Sequence, residues 1–172
     1  MNHHEQVIEI FQEHFRDSRI TGIELGTAQA CLTKTMLMLL PNLEMIYTID
    51  PYQYRPNEQF EASIGPQEYH DDRRRQAELA LSFYEGRYNL LRTTSDAAVS
   101  LTPDKVNFVW IDGDHTPTQV IKDINNYYPK VCSGGIFGGH DWNLVGSLVN
   151  NLISEPVTLG TDHTWWLIKK QE

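Results

Sequence analysis

At 172 residues, 40% apolar and 22% charged, the chain can bury a full core without metal or disulfide staples, and its composition excludes disorder as the dominant state. A net charge of −9 argues against a backbone-gripping nucleic-acid binder, and no apolar run approaches the roughly 18 residues that a membrane span needs. One domain, 1–172, is expected, in the cytoplasm, since the polar first residues show no secretory leader.

Val7, Ile8, Phe11 and Phe15 recur at helical spacing and predict a helix over 4–16. Thr21–Leu25 reads as a strand ended by Gly26, and 28–40 as an apolar helix stopped by Pro41. Met45–Asp50 is the second strand. Residues 51–66, broken by Pro51, Pro56, Gly65 and Pro66 and dotted with Tyr52, Tyr54 and Phe60, predict a long loop that acts as a lid. A helix follows over 67–84. Its Arg73-Arg74-Arg75 run, directly after Asp71-Asp72, reads as a solvated face with local ion pairs; the sharper alternative is a grip on an anionic substrate.

Tyr88–Arg92 is a strand and Ser95–Ser100 a short helix with Ser95 as its cap. Val106–Ile111 is continuously apolar, as in a strand buried on both faces. A helix at 117–129, a glycine-rich strand at Gly135–Gly139 and a helix at 142–153 follow. Val157–Leu159 and Thr164–Ile168 have only the turn 160–163 between them, so they form a hairpin. Alternation of strand and helix predicts an α/β fold with a mostly parallel seven-stranded sheet and a C-terminal antiparallel hairpin. Trp165 and Trp166 point to opposite faces, and the cover one of them needs leaves a homodimer open. Cys31 and Cys132 lack metal-type spacing and are expected to be buried free thiols.

Open α/β sheets bind ligands beyond the carboxyl ends of their strands. Those ends carry Glu24-Leu25-Gly26, Asp50, Ser95-Asp96, Asp112-Gly113-Asp114-His115 and His140-Asp141. Gly26 lets the backbone approach a ligand. A dinucleotide fingerprint would want glycines at 26, 28 and 31, and Ala28 and Cys31 argue against a nicotinamide or flavin enzyme. The Asp50 carboxylate can take both hydroxyls of a ribose. Tyr52 or Tyr54 can stack on a base or face a cation, unless loop packing claims them.

Asp112, Asp114, His115, His140 and Asp141 form a dense group of potential ligands. Asp112 and Asp141 suit a hard ion such as Mg²⁺, and the two histidines, His115 and His140, extend the choice to manganese, iron or zinc. No HxxxH or CxxC spacing supports a structural zinc site. His115 is the first general-base candidate because an imidazole ordinarily titrates near neutrality. The plainer alternatives are a helix-capping Asp114 and a satisfied strand-end His140. His3, His4, His14 and His163 read as surface residues.

Four stretches together resemble the class I S-adenosylmethionine-dependent methyltransferases: Ile23–Ala30, Ile49–Tyr52, Phe108–His115 and Ser133–Trp142. Within these the chain is most similar to the small domain-24 type, related to catechol-type O-methyltransferases. The resemblance implies a Rossmann-like three-layer sandwich with S-adenosyl-L-methionine as cofactor. Glu24 and Gly26 would face its methionine part, with Thr27 beside them. Asp50 would hold the ribose, with Tyr52 next to it. Ser95 and Asp96 would meet the adenine. Asp112 would lie near the methionine amino group or a metal, and Asp141, with His140, would be a metal ligand. The family often has glycine where this chain has Ala30; a helix turn is expected to tolerate the extra methyl.

The resemblance implies methylation of a small-molecule hydroxyl, with Asp112 and His115 at the reacting centre and a divalent ion as a candidate aid. The alternatives are a non-catalytic cofactor-binding or interaction protein of the same fold and, further off, a nicotinamide-dependent oxidoreductase.

Overall fold

The computed structural model describes residues 3–54 and 65–170. Seven strands make one sheet: β1 (Ile20–Leu25), β2 (Leu43–Ile49), β3 (Tyr88–Leu91), β4 (Val106–Ile111), β5 (Val131–Gly139), β6 (Thr158–Leu159) and β7 (Trp165–Ile168). Their spatial order is β3-β2-β1-β4-β5-β7-β6. All pairings from β3 across to β5 are parallel, whereas β7 runs antiparallel to both β5 and β6. The chain leaves β1 toward β2 on one side and reaches β4 on the other. The crevice of an α/β sheet therefore opens above the carboxyl ends of β1 and β4.

Alternation along β4 explains the layers. Phe108 and Trp110 enter one core with Val7 and Phe11 of α1 (His3–Phe15), Met36 of α2 (Cys31–Leu39) and Leu81 of α3 (Gln67–Leu81). Val109 and Ile111 enter the other, with Val120 and Ile124 of α5 (Pro117–Tyr127) and Val145 and Val149 of α6 (Trp142–Leu152). Each helix buries one stripe, and the sheet is covered on both faces, as the hydrophobic pattern anticipated. A short α4 (Ser95–Ala98) precedes β4.

Several local expectations are corrected. The second helix begins at Cys31, because Ala28 and Ala30 hold left-handed backbone (φ 48° and 61°). Cys31 is consequently exposed, and Cys132 is half-buried; both thiols are free. The cap of α4 is Thr94, whose hydroxyl accepts the Ala97 N–H at 3.3 Å. Strand β5 starts at Val131 and shifts register against β4 before Ile136, where Gly134 (φ 77°) supplies the bend. Of the lid expected at 51–66, residues 55–64 lie outside the described residues. Trp165 is buried and Trp166 only partly so. No helix among the described residues is long and apolar enough to cross a membrane.

Candidate active site

The turn after β1 packs directly on the main chain at the end of β4. Gly26 has φ 95°, and a Cβ on it would collide with the main-chain carbonyl of Asp112 at the end of β4. Only glycine meets both demands. The seam is closed by Asp112 N donating to Leu25 O at 2.8 Å and Gly26 N donating to Ile49 O at 2.9 Å.

Asp50, just past β2, organises the next stretch. Its two carboxylate oxygens accept the Ala28 N–H at 3.0 Å and the Tyr52 N–H at 2.8 Å. Burial pushes its pKa upward, against these two backbone bonds. Each oxygen keeps a second lone pair that a ligand hydroxyl can use. The Tyr52 hydroxyl donates to Ala28 O at 2.7 Å, so Ala28 is held by both of its backbone groups. The Tyr52 ring is 1% exposed and packs in the core. It braces the turn and also lines the cavity above it. Tyr54 is exposed, its N–H bonded to Gln67 at 3.0 Å.

Glu24 and Thr27 turn inward. The Glu24 carboxylate, 1% exposed, accepts hydrogen bonds from Thr33 of α2 and from Thr48 of β2, and Thr48 in turn meets the Thr27 hydroxyl at 2.6 Å. Burial is the main cause that pushes Glu24 up to about 7. This network lies beneath the turn and supports it. The Ala30 methyl also goes into the core, fully buried, so it does not obstruct the crevice. The tolerance comes from this direction, since no helix turn is present at that residue.

A cavity of about 300 Å³ opens here, lined by Gly26, Asp50, Tyr52, Ser95, Asp96 and Asp112 among the expected residues. Ala28, His70, Arg73, Gln119, Lys122 and Asp123 line it as well and were not anticipated. The Gln119 side-chain amide donates to Ser95 Oγ at 2.9 Å and Asp123 Oδ1 at 3.0 Å, with Asp96 Oδ1 at 3.1 Å. Lys122 binds the other Asp96 oxygen at 2.8 Å. Asp123 is 2% exposed, and burial pushes it up to about 6. Of the arginine run, Arg74 and Arg75 form the local pairs expected, with Glu78 and Asp72, each at 3.0 Å. Arg73 instead reaches the cavity wall, over the Tyr69 ring at 5.4 Å.

Beside Asp112 stands an ionic cluster outside the cavity lining. His115 Nδ1 lies 3.3 Å from Asp141 Oδ2, and His140 Nδ1 lies 3.3 Å from Asp141 Oδ1 and 3.9 Å from Asp112 Oδ1. Potential ligand atoms of Asp112, His115 and Asp141 fall within 4.8 Å of one another, a donor set that suits a divalent cation. Asp114 accepts the Thr116 N–H at 2.8 Å in a turn that precedes α5; the N-cap is Thr116, so Asp114 does not cap the helix. His3 departs from expectation. It is half-buried, its Nε2 3.6 Å from Asp112 Oδ2 and its ring 4.4 Å from that of His140. His4 is also half-buried, and burial lowers its pKa. His14 Nε2 sits 2.7 Å from Gly134 O, and His163 is exposed.

A parallel sheet with its crevice between β1 and β4, and acids after β2 and β4, is a Rossmann-like α/β arrangement. Residues 22–142 match the profile of a family described as Methyltransferase domain, and the chain belongs to that family, within the class I S-adenosylmethionine-dependent methyltransferases. Among curated proteins, no sequence matches it significantly. Solved structures share the fold. The O-methyltransferase NovP is 14% identical with a TM-score of 0.70, covering 96% of this chain and 80% of its own. CalS11, a TDP-rhamnose 3'-O-methyltransferase of calicheamicin biosynthesis, is 12% identical with a TM-score of 0.67, covering 95% and 77%. An rRNA methylase from Streptococcus thermophilus is 11% identical with a TM-score of 0.66, covering 96% and 95%.

Proposed function

We propose that the chain, acting as one methyltransferase domain, transfers the methyl group of S-adenosyl-L-methionine to a hydroxyl of a small molecule. The observation that carries the reading is the single cavity shared by the Gly26–Ala28 turn, the Asp50 carboxylate and Asp112. Its volume lies within the range of small-ligand sites. Asp50 offers two oxygens, held by backbone N–H groups, to the ribose hydroxyls. Ser95, Asp96 and Asp123 make an acceptor-rich edge for the amino group of adenine. Gly26 leaves its main chain open to the methionine part, with Glu24 and Thr27 supporting it from beneath.

The cofactor supplies an activated methyl group, so the protein has two tasks: to align the acceptor and to remove its proton. His115, held by Asp141, is the base proposed for the second task, and Asp112 flanks the reacting centre. Asp112 and Asp141 also fit a magnesium-like divalent ion, and His115 and His140 beside them extend the choice to a transition metal. Such an ion lowers the pKa of a bound hydroxyl by Lewis acidity. The net charge of −9 favours a small acceptor over RNA, and a cytoplasmic enzyme is proposed.

Calorimetry with S-adenosylmethionine, its demethylated product and NADH tests the cofactor. Binding of the first two and not of NADH is expected. If neither of the first two binds below about 1 mM, the reading fails. For the ion, methyl transfer fully retained in excess chelator eliminates the metal.

A further inference from the structure

The cluster beside Asp112 contains a second ligand set, which shares only His140 with the metal reading above. His3 comes from the first turn of α1, His140 from the end of β5, and Asp162 from the turn between β6 and β7. Potential ligand atoms of these three lie within 4.8 Å of one another, and none of the three belongs to the Asp112–His115–Asp141 group. The Nε2 atoms of His3 and His140 are buried and have no hydrogen-bond partner among the described residues. A buried ring nitrogen without a partner is costly, since its desolvation is uncompensated. One ligand removes the cost at both rings.

We infer that His3, His140 and Asp162 form a binding site for a borderline divalent transition metal, with zinc as the reference ion. Two imidazoles and one carboxylate are a donor set of that class, whereas magnesium prefers oxygen alone. The surrounding bonds fix the three contributors. Gln6, one helical turn beyond His3, accepts from Thr161 N at 2.9 Å and Thr161 Oγ1 at 3.1 Å, docking α1 on the β6–β7 turn. Trp142 N donates to His163 O at 3.0 Å and ties that turn to the start of α6. Trp165 Nε1 donates to His140 O at 3.0 Å and holds the end of β5. The backbones are thus set, and only side chains need to move. Tetrahedral zinc with bonds of about 2.1 Å needs its ligands about 3.4 Å apart, and the exposed Asp162 closes that gap by rotation. The site joins three segments from opposite ends of the chain and acts as a clasp for α1 at the mouth of the crevice.

The untagged full chain is titrated with Zn²⁺ by calorimetry, and its melting temperature is followed with and without the ion. The wild type is expected to bind and to melt higher with zinc. His3→Ala and Asp162→Asn each weaken that binding by about 100-fold and lose the rise in melting temperature, whereas His115→Gln keeps both. Asn accepts the left-handed backbone of position 162 (φ 52°), so Asp162→Asn tests the ligand and not the fold. The inference is overturned if His3→Ala and Asp162→Asn bind zinc as the wild type does. It is equally overturned if the folded wild type binds no zinc tighter than roughly 1 mM. Loss of zinc only in His115→Gln would assign the ion to the Asp112 group instead.

Discussion

The two sides of the crevice are built differently. On the β1–β2 side, the polar groups are satisfied at hydrogen-bond distance: Asp50 to Ala28 and Tyr52, Tyr52 to Ala28, Thr27 to Thr48, all between 2.6 and 3.0 Å. On the β4–β5 side, the ion pairs among Asp112, His3, His115, His140 and Asp141 are longer, 3.3 to 3.9 Å. The first side is pre-organised and needs no ligand to complete it. The second is a looser cluster of carboxylates and imidazoles, as expected where an ion, a substrate or a proton has still to be received.

The contrast is tested most severely by Asp50→Ala. On the proposed reading it removes two charge-assisted bonds to the ribose, each worth about 1.5–3 kcal/mol, and it leaves two backbone N–H groups without their acceptor. Affinity for S-adenosylmethionine should fall by about 100-fold or more in calorimetry. Unchanged affinity would show the ribose to lie elsewhere. On the other side, His115→Gln should lower kcat by roughly 10²–10⁴ while cofactor affinity stays as it is. A kcat within a few-fold of wild type would remove His115 as the base.

Glu24 probes the support beneath the ordered side. Its carboxyl holds a proton up to about 7 in the folded chain and has an ordinary value of 4.5. Between those values the folded state binds more protons than the unfolded one. Stability therefore declines as pH rises through that window, by up to about 3 kcal/mol. Glu24→Gln should flatten this decline in denaturant titrations at pH 5 and pH 7.5, and an identical slope in the variant would refute the assignment. The smallest effect is at the turn itself. Ala28→Gly should relieve left-handed strain and stabilise by about 1 kcal/mol in thermal melts. Ala30→Gly should gain less, because its buried methyl is lost at the same time. Equal gains at the two positions would contradict the burial difference between them.

The fold was legible where the pattern is local. The apolar run of β4, the helical spacing in α1 and the missing helix before β7 each led to the right element. Legibility failed where a turn overrides propensity. Ala28 and Ala30 are good helix formers, yet the bonds from Asp50 and Tyr52 hold Ala28 in a shape that alanine disfavours on its own. Strand β5 was read short because its first half is offset by the bend at Gly134.

Of the expected residues, Gly26, Asp50, Ser95, Asp96 and Asp112 line the cavity because strand ends converge in any sheet of this order. His70, Arg73, Gln119 and Asp123 come from α3 and α5, and which helix face meets the crevice is decided by packing. One signal was available for two of them: Gln119 and Asp123 are four apart, so they share a helix face just beyond the Asp112–His115 stretch. Nothing local announces that His3 lies beside Asp112, 109 positions away; the docking of α1 through Gln6 brings them together.

The clearance at Gly26 has a consequence for how such a protein can change. Where a single missing Cβ lets two parallel strands touch, the turn after β1 and the end of β4 share one wall of the chamber. Any side chain added there would spread β1 from β4 and misalign both at once. A new ligand must therefore be accommodated by changes elsewhere in the lining, while this partition stays as it is.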